Sequence, residues 1–339
     1  MIPLVLARAP IALLPVLVFL LTLVYFDSFR LVRPRVALFV MAAGAVAAGV
    51  SYPLNGALLN LSGVTFQFYV RYMSPWLEEL LKALILIHLI RTRRIGLLVD
   101  AAIAGFAVGT GFALVENLYY LAMRPEAQTG VQVIRGFGTA IMHGGATAIF
   151  GIVSVALVER KGDTTPTVFV PGWVGAVVVH SAFNHLLVAP LLATLAILLA
   201  LPPLIYFVFQ HSERSLRHWL EADLDSDIEL LRVIGSGEVS ESHVGRFLDS
   251  LKHTYSGAIV ADMLCYLRLH GELALRAKGM LLMRESGIED EVDDETRAKL
   301  AELQYLERSI GRSGQLALRP LLLVTGKDLW QLHMLKNAA

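Results

Sequence analysis

Two adjacent carboxylates, Glu78 and Glu79, sit halfway along a stretch from Phe66 to Arg91 that is otherwise apolar enough to enter a bilayer. A charge at the middle of a membrane helix costs about 2.5–3.5 kcal/mol on insertion scales, so such residues are rare and usually face a polar interior. Spanning a membrane requires neither of them, and the pair therefore points to chemistry. Lys82 completes an E-E-x-x-K pattern. Glu78 and Lys82 share a helical face, whereas Glu79 is turned about 100° from Glu78. The spacing predicts that Lys82 offsets Glu78 and leaves Glu79 for another partner.

Three more polar groups follow in the next apolar stretches: Phe112-x-x-x-Glu116, then His143, then His180-x-x-x-Asn184. His180 and Asn184 lie on one helical face. At 1.5 Å per residue, Glu78 falls about 18 Å below the outer surface, His143 about 15 Å, His180 about 12 Å and Glu116 about 10 Å. These segments run in opposite directions, yet the groups share a band of roughly 10 Å within a core of about 30 Å. One polar cavity opening toward the outer side is expected.

Carboxylates, imidazoles and an amide in a wet pocket suit hydrolysis of a peptide bond. A glutamate tuned by burial and neighbours takes a proton from water. A second polar group orients that water, and a histidine and an asparagine can donate to the oxyanion that develops on the carbonyl. No serine, threonine or cysteine stands out as a nucleophile; Ser74 lies a turn above the acidic pair, beside Pro75. The zinc-peptidase pattern H-E-x-x-H is absent. Glu116, His143 and His180 are nonetheless chemically able to hold Zn²⁺. The residues leave metal-activated and carboxylate-activated water both open, and they leave the cofactor unknown. Taken singly, each group also has a plainer reading: an ion-pair element for Glu78, Glu79 and Lys82, an interhelical hydrogen bond for His180 and Asn184. Asp100 reads as interfacial and His88 as a helix-end residue.

The elements that must position these groups are membrane helices. The chain has 339 residues, 55% hydrophobic and 17% charged, where soluble domains carry about 25% charge. The apolar excess lies in residues 1–210 and the charge mostly beyond, which divides the chain into a transmembrane domain, 1–210, and a cytoplasmic helical domain, 211–339. A formal net charge of zero, with no basic patch interleaved with aromatics, argues against a nucleic-acid partner. Cys265 is the single cysteine, so no disulfide framework exists. Arg8 precedes an apolar run from Ile11 to Tyr25 with no small-residue cleavage pattern, which reads as a retained first helix.

About seven spans are expected: Pro10–Phe26, Val36–Leu59, Phe66–Ile90, Leu97–Met123, Val133–Val158, Val170–Val188 and Pro190–Gln210. They must be helical, because lipid offers no partner to backbone N–H and C=O groups. The fold class is all-α: a polytopic membrane protein followed by a soluble α-helical domain. Arg30, Arg33 and Arg35, then Arg91, Arg93 and Arg94, then Arg160 and Lys161, then Arg214 and Arg217 follow the odd-numbered spans. Basic loops stay in the cytoplasm, which predicts the N-terminus outside and the C-terminus inside a plasma or inner membrane. Small residues such as Gly44, Gly105, Gly109, Gly144 and Gly145 allow close helix approach. In the tail, Ser226–Glu229 has capping-box spacing. Gly257–Arg284 reads as one long helix, Glu285–Glu295 as an acidic break and Thr296–Ile310 as a further helix, with an interruption at Arg319-Pro320 and a short apolar helix at the end.

The four motifs, in order on successive spans across residues 66–188, resemble those of the PrsW family of intramembrane proteases, within the CAAX-type membrane endopeptidases. The resemblance implies a protease-like transmembrane domain that cuts membrane-anchored proteins, with an anti-sigma factor cleaved on its extracytoplasmic side as the family's best-known substrate. It implies that Glu78 activates water with support from Glu79, that His143 and Glu116 complete the water or metal site, and that His180 and Asn184 serve the oxyanion, with Lys82 and Phe112 in support. The wider superfamily has F-x-x-x-H where this chain has Glu116. Two rival classes are a proton-coupled transporter or channel, since intramembrane Glu and His form proton relays, and a catalytically inactive scaffold. No inverted repeat or matched pair of broken helices favours the transporter.

Overall fold

In the computed structural model of the chain, residues 2–25, 27, 34–123, 135–186, 190–236, 239–288, 292–322, 330–332 and 334–336 are described. Among them all regular structure is helical. Arg30 and Arg33 of the first basic linker, and Glu289, Asp290 and Glu291 of the acidic break, lie outside the described residues. The chain divides into two compact units, Met1–Glu213 and Arg214–Ala339.

Helices occupy the described residues of all seven expected spans. α1 is Ile2–Tyr25, α2 Pro34–Ser62, α3 Ser74–Arg91, α4 Leu98–Met123, α5 Ala140–Lys161, α6 Pro166–Leu186 and α7 Pro190–Gly235. Two of them are entered through a π turn, Tyr69–Met73 before α3 and Arg135–Thr139 before α5. Among the described residues, α2, α4, the stretch Phe137–Lys161 and Pro166–His185 are long and apolar enough to cross a membrane. α3 is more polar because Glu78, Glu79, Lys82 and Arg91 fall within its 18 residues.

α4 is the pillar of the first unit and packs against α1, α2, α3 and α5. Its residues Val99 to Ala113 are buried all round, as expected of a helix enclosed on every side. Glycine permits this enclosure. A methyl at Gly105 would lie 2.6 Å from the Thr147 carbonyl of α5, and one at Gly109 would overlap the His143 carbonyl. α4 and α5 are therefore in backbone contact at the level of His143. α3 packs against α2, α4, α5 and α6, so its inner face meets the helices that carry the other motif residues.

The second unit is built from amphipathic helices. α8, His243–Leu251, is capped by Ser242, whose Oγ accepts from the Gly245 N–H at 3.0 Å. α9 is Gly257–Glu285, capped by Ser256, and α10 is Asp294–Leu322. Met263, Leu267, Leu273, Leu303 and Leu318 form the core of this unit. Two local expectations are corrected. The Ser226–Glu229 capping box does not start a helix, because no Gly or Pro breaks the chain there and α7 runs on to Gly235. α10 is interrupted at Gly311, which takes φ +65°, and passes through Arg319-Pro320 into its last turn. Glycine alone reaches that conformation without strain.

Gly109→Ala is expected to cost about 1–3 kcal/mol through overpacking and to displace His143. Gly49→Ala, where nothing lies within 4 Å of the added methyl, is expected to be neutral. Thermal unfolding of the two variants in detergent checks the difference.

Candidate active site

The π turn before α3 sets the position of the acidic pair. Ser74 N–H returns to Tyr69 O, five residues back. The next residue, Pro75, has no N–H. It therefore cannot serve Val70 O, five residues back, or Arg71 O, four back. α6 supplies both missing donors: Asn184 Nδ2 donates to Val70 O at 2.9 Å and Ser181 Oγ to Arg71 O at 2.6 Å. An unsatisfied buried carbonyl in lipid costs several kcal/mol, so these bonds fix the register of α6 against α3. π turns of this kind are frequent at functional sites.

That register brings the motif residues together. Glu79 Oε1 accepts from Lys82 Nζ at 2.5 Å and pairs with His180 Nδ1 at 2.7 Å. Lys82 Nζ lies 2.9 Å from His143 Nδ1, and His143 Nε2 lies 2.6 Å from Glu116 Oε2. His180 Nε2 faces Glu78 Oε2 across 3.8 Å. The His143 and His180 rings meet edge to face at 4.8 Å. Phe112 stacks against His143 at 4.9 Å and lies under the Lys82 ammonium at 4.7 Å. Glu79, Lys82, His143, His180 and Asn184 are buried, whereas the Glu116 side chain retains 36% of its exposure.

The donors determine the tautomers. An ammonium only donates and a carboxylate only accepts. Lys82 therefore needs a bare Nδ1 on His143, which puts that ring's proton on Nε2, toward Glu116. Glu79 needs a proton on Nδ1 of His180, so that ring in its neutral form has its lone pair on Nε2, facing Glu78. The two imidazoles are thus held in opposite tautomers.

The pairing of Lys82 with Glu78 is corrected: Lys82 binds Glu79 at i+3. The i,i+3 partner lies on the same side as His143 of α5, so one ammonium position serves both acceptors. Glu78 is turned toward α2. Its Oε1 accepts from Ser74 Oγ at 2.6 Å and Asn55 Nδ2 at 3.0 Å. Asp100 lies in the first turn of α4 and is buried, and its Oδ2 accepts from the N–H groups of Gly96 and Leu97 just before that helix. Asn55, Tyr69 and Ser181 were missed in the sequence. Asn55 left one signal, a lone amide two residues after Pro53 in an apolar span. Tyr69 and Ser181 left none.

One ligand atom each from Glu78, His143 and His180 lies within 4.8 Å of the others, a set that can hold a metal ion. Glu116, the third candidate ligand from the sequence, instead meets His143 Nε2. Formally, the three carboxylates Glu78, Glu79 and Glu116 face one ammonium, Lys82. The group therefore carries two excess negative charges while both imidazoles are neutral. A divalent cation, or protons taken up within the group, restores neutrality.

A sequence model described as PrsW family intramembrane metalloprotease matches residues 33–209, just over half of the chain. No curated protein and no solved structure matches the chain.

Lys82→Met leaves Glu79 buried without its cation and is expected to destabilise the first unit by about 3–5 kcal/mol. Adding Glu79→Gln should recover most of the loss, because the double variant buries no unpaired charge. A double-mutant cycle on unfolding in detergent measures the coupling; additive losses would contradict the pairing.

Proposed function

The chain belongs to the PrsW family of intramembrane metalloproteases, and we propose that it hydrolyses a peptide bond in a membrane-anchored protein with water activated at Glu78. The observation that carries this reading is the 3.8 Å gap between Glu78 Oε2 and His180 Nε2. It is too long for a direct hydrogen bond. A shared water at about 2.8 Å from each atom can bridge it, at an angle of about 85° that a small side-chain movement would open. In this reading Glu78 Oε2 takes a proton as the water oxygen attacks the scissile carbonyl carbon. The same carboxyl returns the proton to the departing amide nitrogen. Glu79 holds His180 in the tautomer that points its Nε2 lone pair at the water. The Nε2 lone pair of His180 accepts the water's other hydrogen in a hydrogen bond and so orients the attacking oxygen. The second N–H of Asn184 is the donor available to the oxyanion, since one N–H serves Val70 O.

The donor set also fits a metal. Zinc bonds imidazole and carboxylate at about 2.0–2.2 Å, so tetrahedral ligands stand roughly 3.5 Å apart, and a 4.8 Å cluster reaches that spacing by small side-chain movements. Glu78, His143 and His180 would hold the ion, with Glu79 behind His180 in the carboxylate–histidine arrangement that orients metal-binding imidazoles. His143 would exchange its bond to Lys82 or to Glu116. A bound Zn²⁺ lowers the pKa of its water and polarises the carbonyl. Glu116, hydrogen-bonded to Nε2 of His143, would orient that ring if it held the ion through Nδ1.

The basic linkers support an orientation with the N-terminus outside and the C-terminus in the cytoplasm. The site then lies nearer the outer face, and the cut falls in the outer half of the substrate's helix or just outside it. The substrate class is a single-span protein of the anti-sigma type, and residues 211–339 form a cytoplasmic helical domain.

Reconstituted with a single-span substrate, Glu78→Gln is expected to lose about 10²–10⁴-fold in turnover, the range for removing a general base. His180→Ala should lose at least as much. A zinc chelator abolishes cleavage if the ion is required and leaves it intact if Glu78 acts alone. Mass spectrometry of the products locates the bond, and a cut at the cytoplasmic end contradicts the orientation.

A further inference from the structure

Asn55 stands in α2, outside all four motifs, yet it reaches the acidic pair. Its Nδ2 donates to Glu78 Oε1 at 3.0 Å, and its Oδ1 accepts from the Tyr69 hydroxyl at 2.9 Å. An ionised carboxylate only accepts, so Glu78 takes the amide nitrogen and leaves the amide oxygen to the Tyr69 hydroxyl. Ser74 Oγ adds a second donor on the same Oε1 at 2.6 Å. Oε2 is left toward His180 Nε2.

The terminal torsion of a glutamate is broad, so the plane of a carboxylate turns readily. Two donors converging on Oε1 remove that freedom. Asn55 and Ser74 come from different helices, and a turn of the carboxylate would break both bonds at once. Tyr69 in turn belongs to the π turn that α6 holds through Val70 and Arg71. The orientation of Glu78 is thus set by α2 and by the π turn together.

We propose that Asn55, anchored by Tyr69, is a positioning residue that dedicates Oε2 of Glu78 to the reacting water. The proposal rests on the reading of Glu78 as the group that activates water. Its test measures kcat and KM of the full chain in vesicles with a single-span substrate, for Asn55→Ala, Asn55→Asp, Tyr69→Phe and Glu78→Gln. Asn55→Ala should lower kcat by about 10–100-fold, the usual effect of removing a partner that orients a reacting group, with KM and unfolding temperature unchanged. Asn55→Asp should lose more, because it sets a carboxylate against a carboxylate. Tyr69→Phe removes one hydroxyl and nothing else, and should give a smaller loss, again confined to kcat. Wild-type kcat in both Asn55→Ala and Tyr69→Phe, with Glu78→Gln inactive, overturns the proposal and leaves the function standing. A loss seen only in KM or in folded yield also overturns it. A Glu78→Gln variant that still cleaves overturns the function itself, and the proposal with it.

Discussion

A carboxylate buried in lipid must be paired, and the pairing of Glu79 organises this protein's first unit. Glu79 is 2% exposed and Lys82 0%. Neither could stay charged there alone, since each ion carries a desolvation penalty of several kcal/mol. Together they leave further hydrogen-bonding capacity, which His180 and His143 take up. Three helices are thereby tied at one point: α3 through both charges, α5 through His143, α6 through His180. α4 joins through Glu116 and through the Phe112 ring beneath the ammonium. The same bonds that satisfy the buried charge also fix the tautomers, so stability and chemistry draw on one set of contacts.

Such a cluster needs backbones that stay where they are put. Two devices provide this. At the α4–α5 contact, Gly105 and Gly109 let the helices touch at their backbones, and a rigid contact there holds His143 from behind. At the entrance to α3, a π turn followed by Pro75 strips two carbonyls of their helical donors, and Ser181 and Asn184 of α6 replace them. A defect in one helix is thus the docking point of another. The spacing His180-x-x-x-Asn184 follows from this: His180 meets the acid while Asn184, one turn on, meets the defect.

Much of this was legible in the sequence, because membrane burial makes polar residues conspicuous. The helical class, the places of the spans and the group Glu78, Glu79, Glu116, His143 and His180 all stood out against an apolar background. Pairing within the group was not legible. Lys82 lies on the same face as both acids within one helical turn, and the choice between i+3 and i+4 was made by His143, sixty-one residues away. Asn55 was hidden for the opposite reason: one of two amides in the last turns of a small-residue helix resembles an incidental polar residue. The π turn was invisible, because the expected helix ran from Phe66 through Pro75, and a proline inside a span signals a kink without specifying a π turn. In the second unit the helix expected over Thr296–Ile310 does end at Gly311, whereas Arg319-Pro320, expected to interrupt, lies inside the helix that follows.

The account's central claim is that Glu79 and Lys82 hold the two imidazoles in opposite tautomers. Nitrogen-15 NMR of histidine-labelled protein in bilayers tests it most directly, with the signals assigned by His143→Asn and His180→Asn. The account predicts His180 protonated at Nδ1, and His143 protonated at Nε2 with a bare Nδ1. A His180 lacking the proton at Nδ1, or a His143 carrying one there, would contradict it.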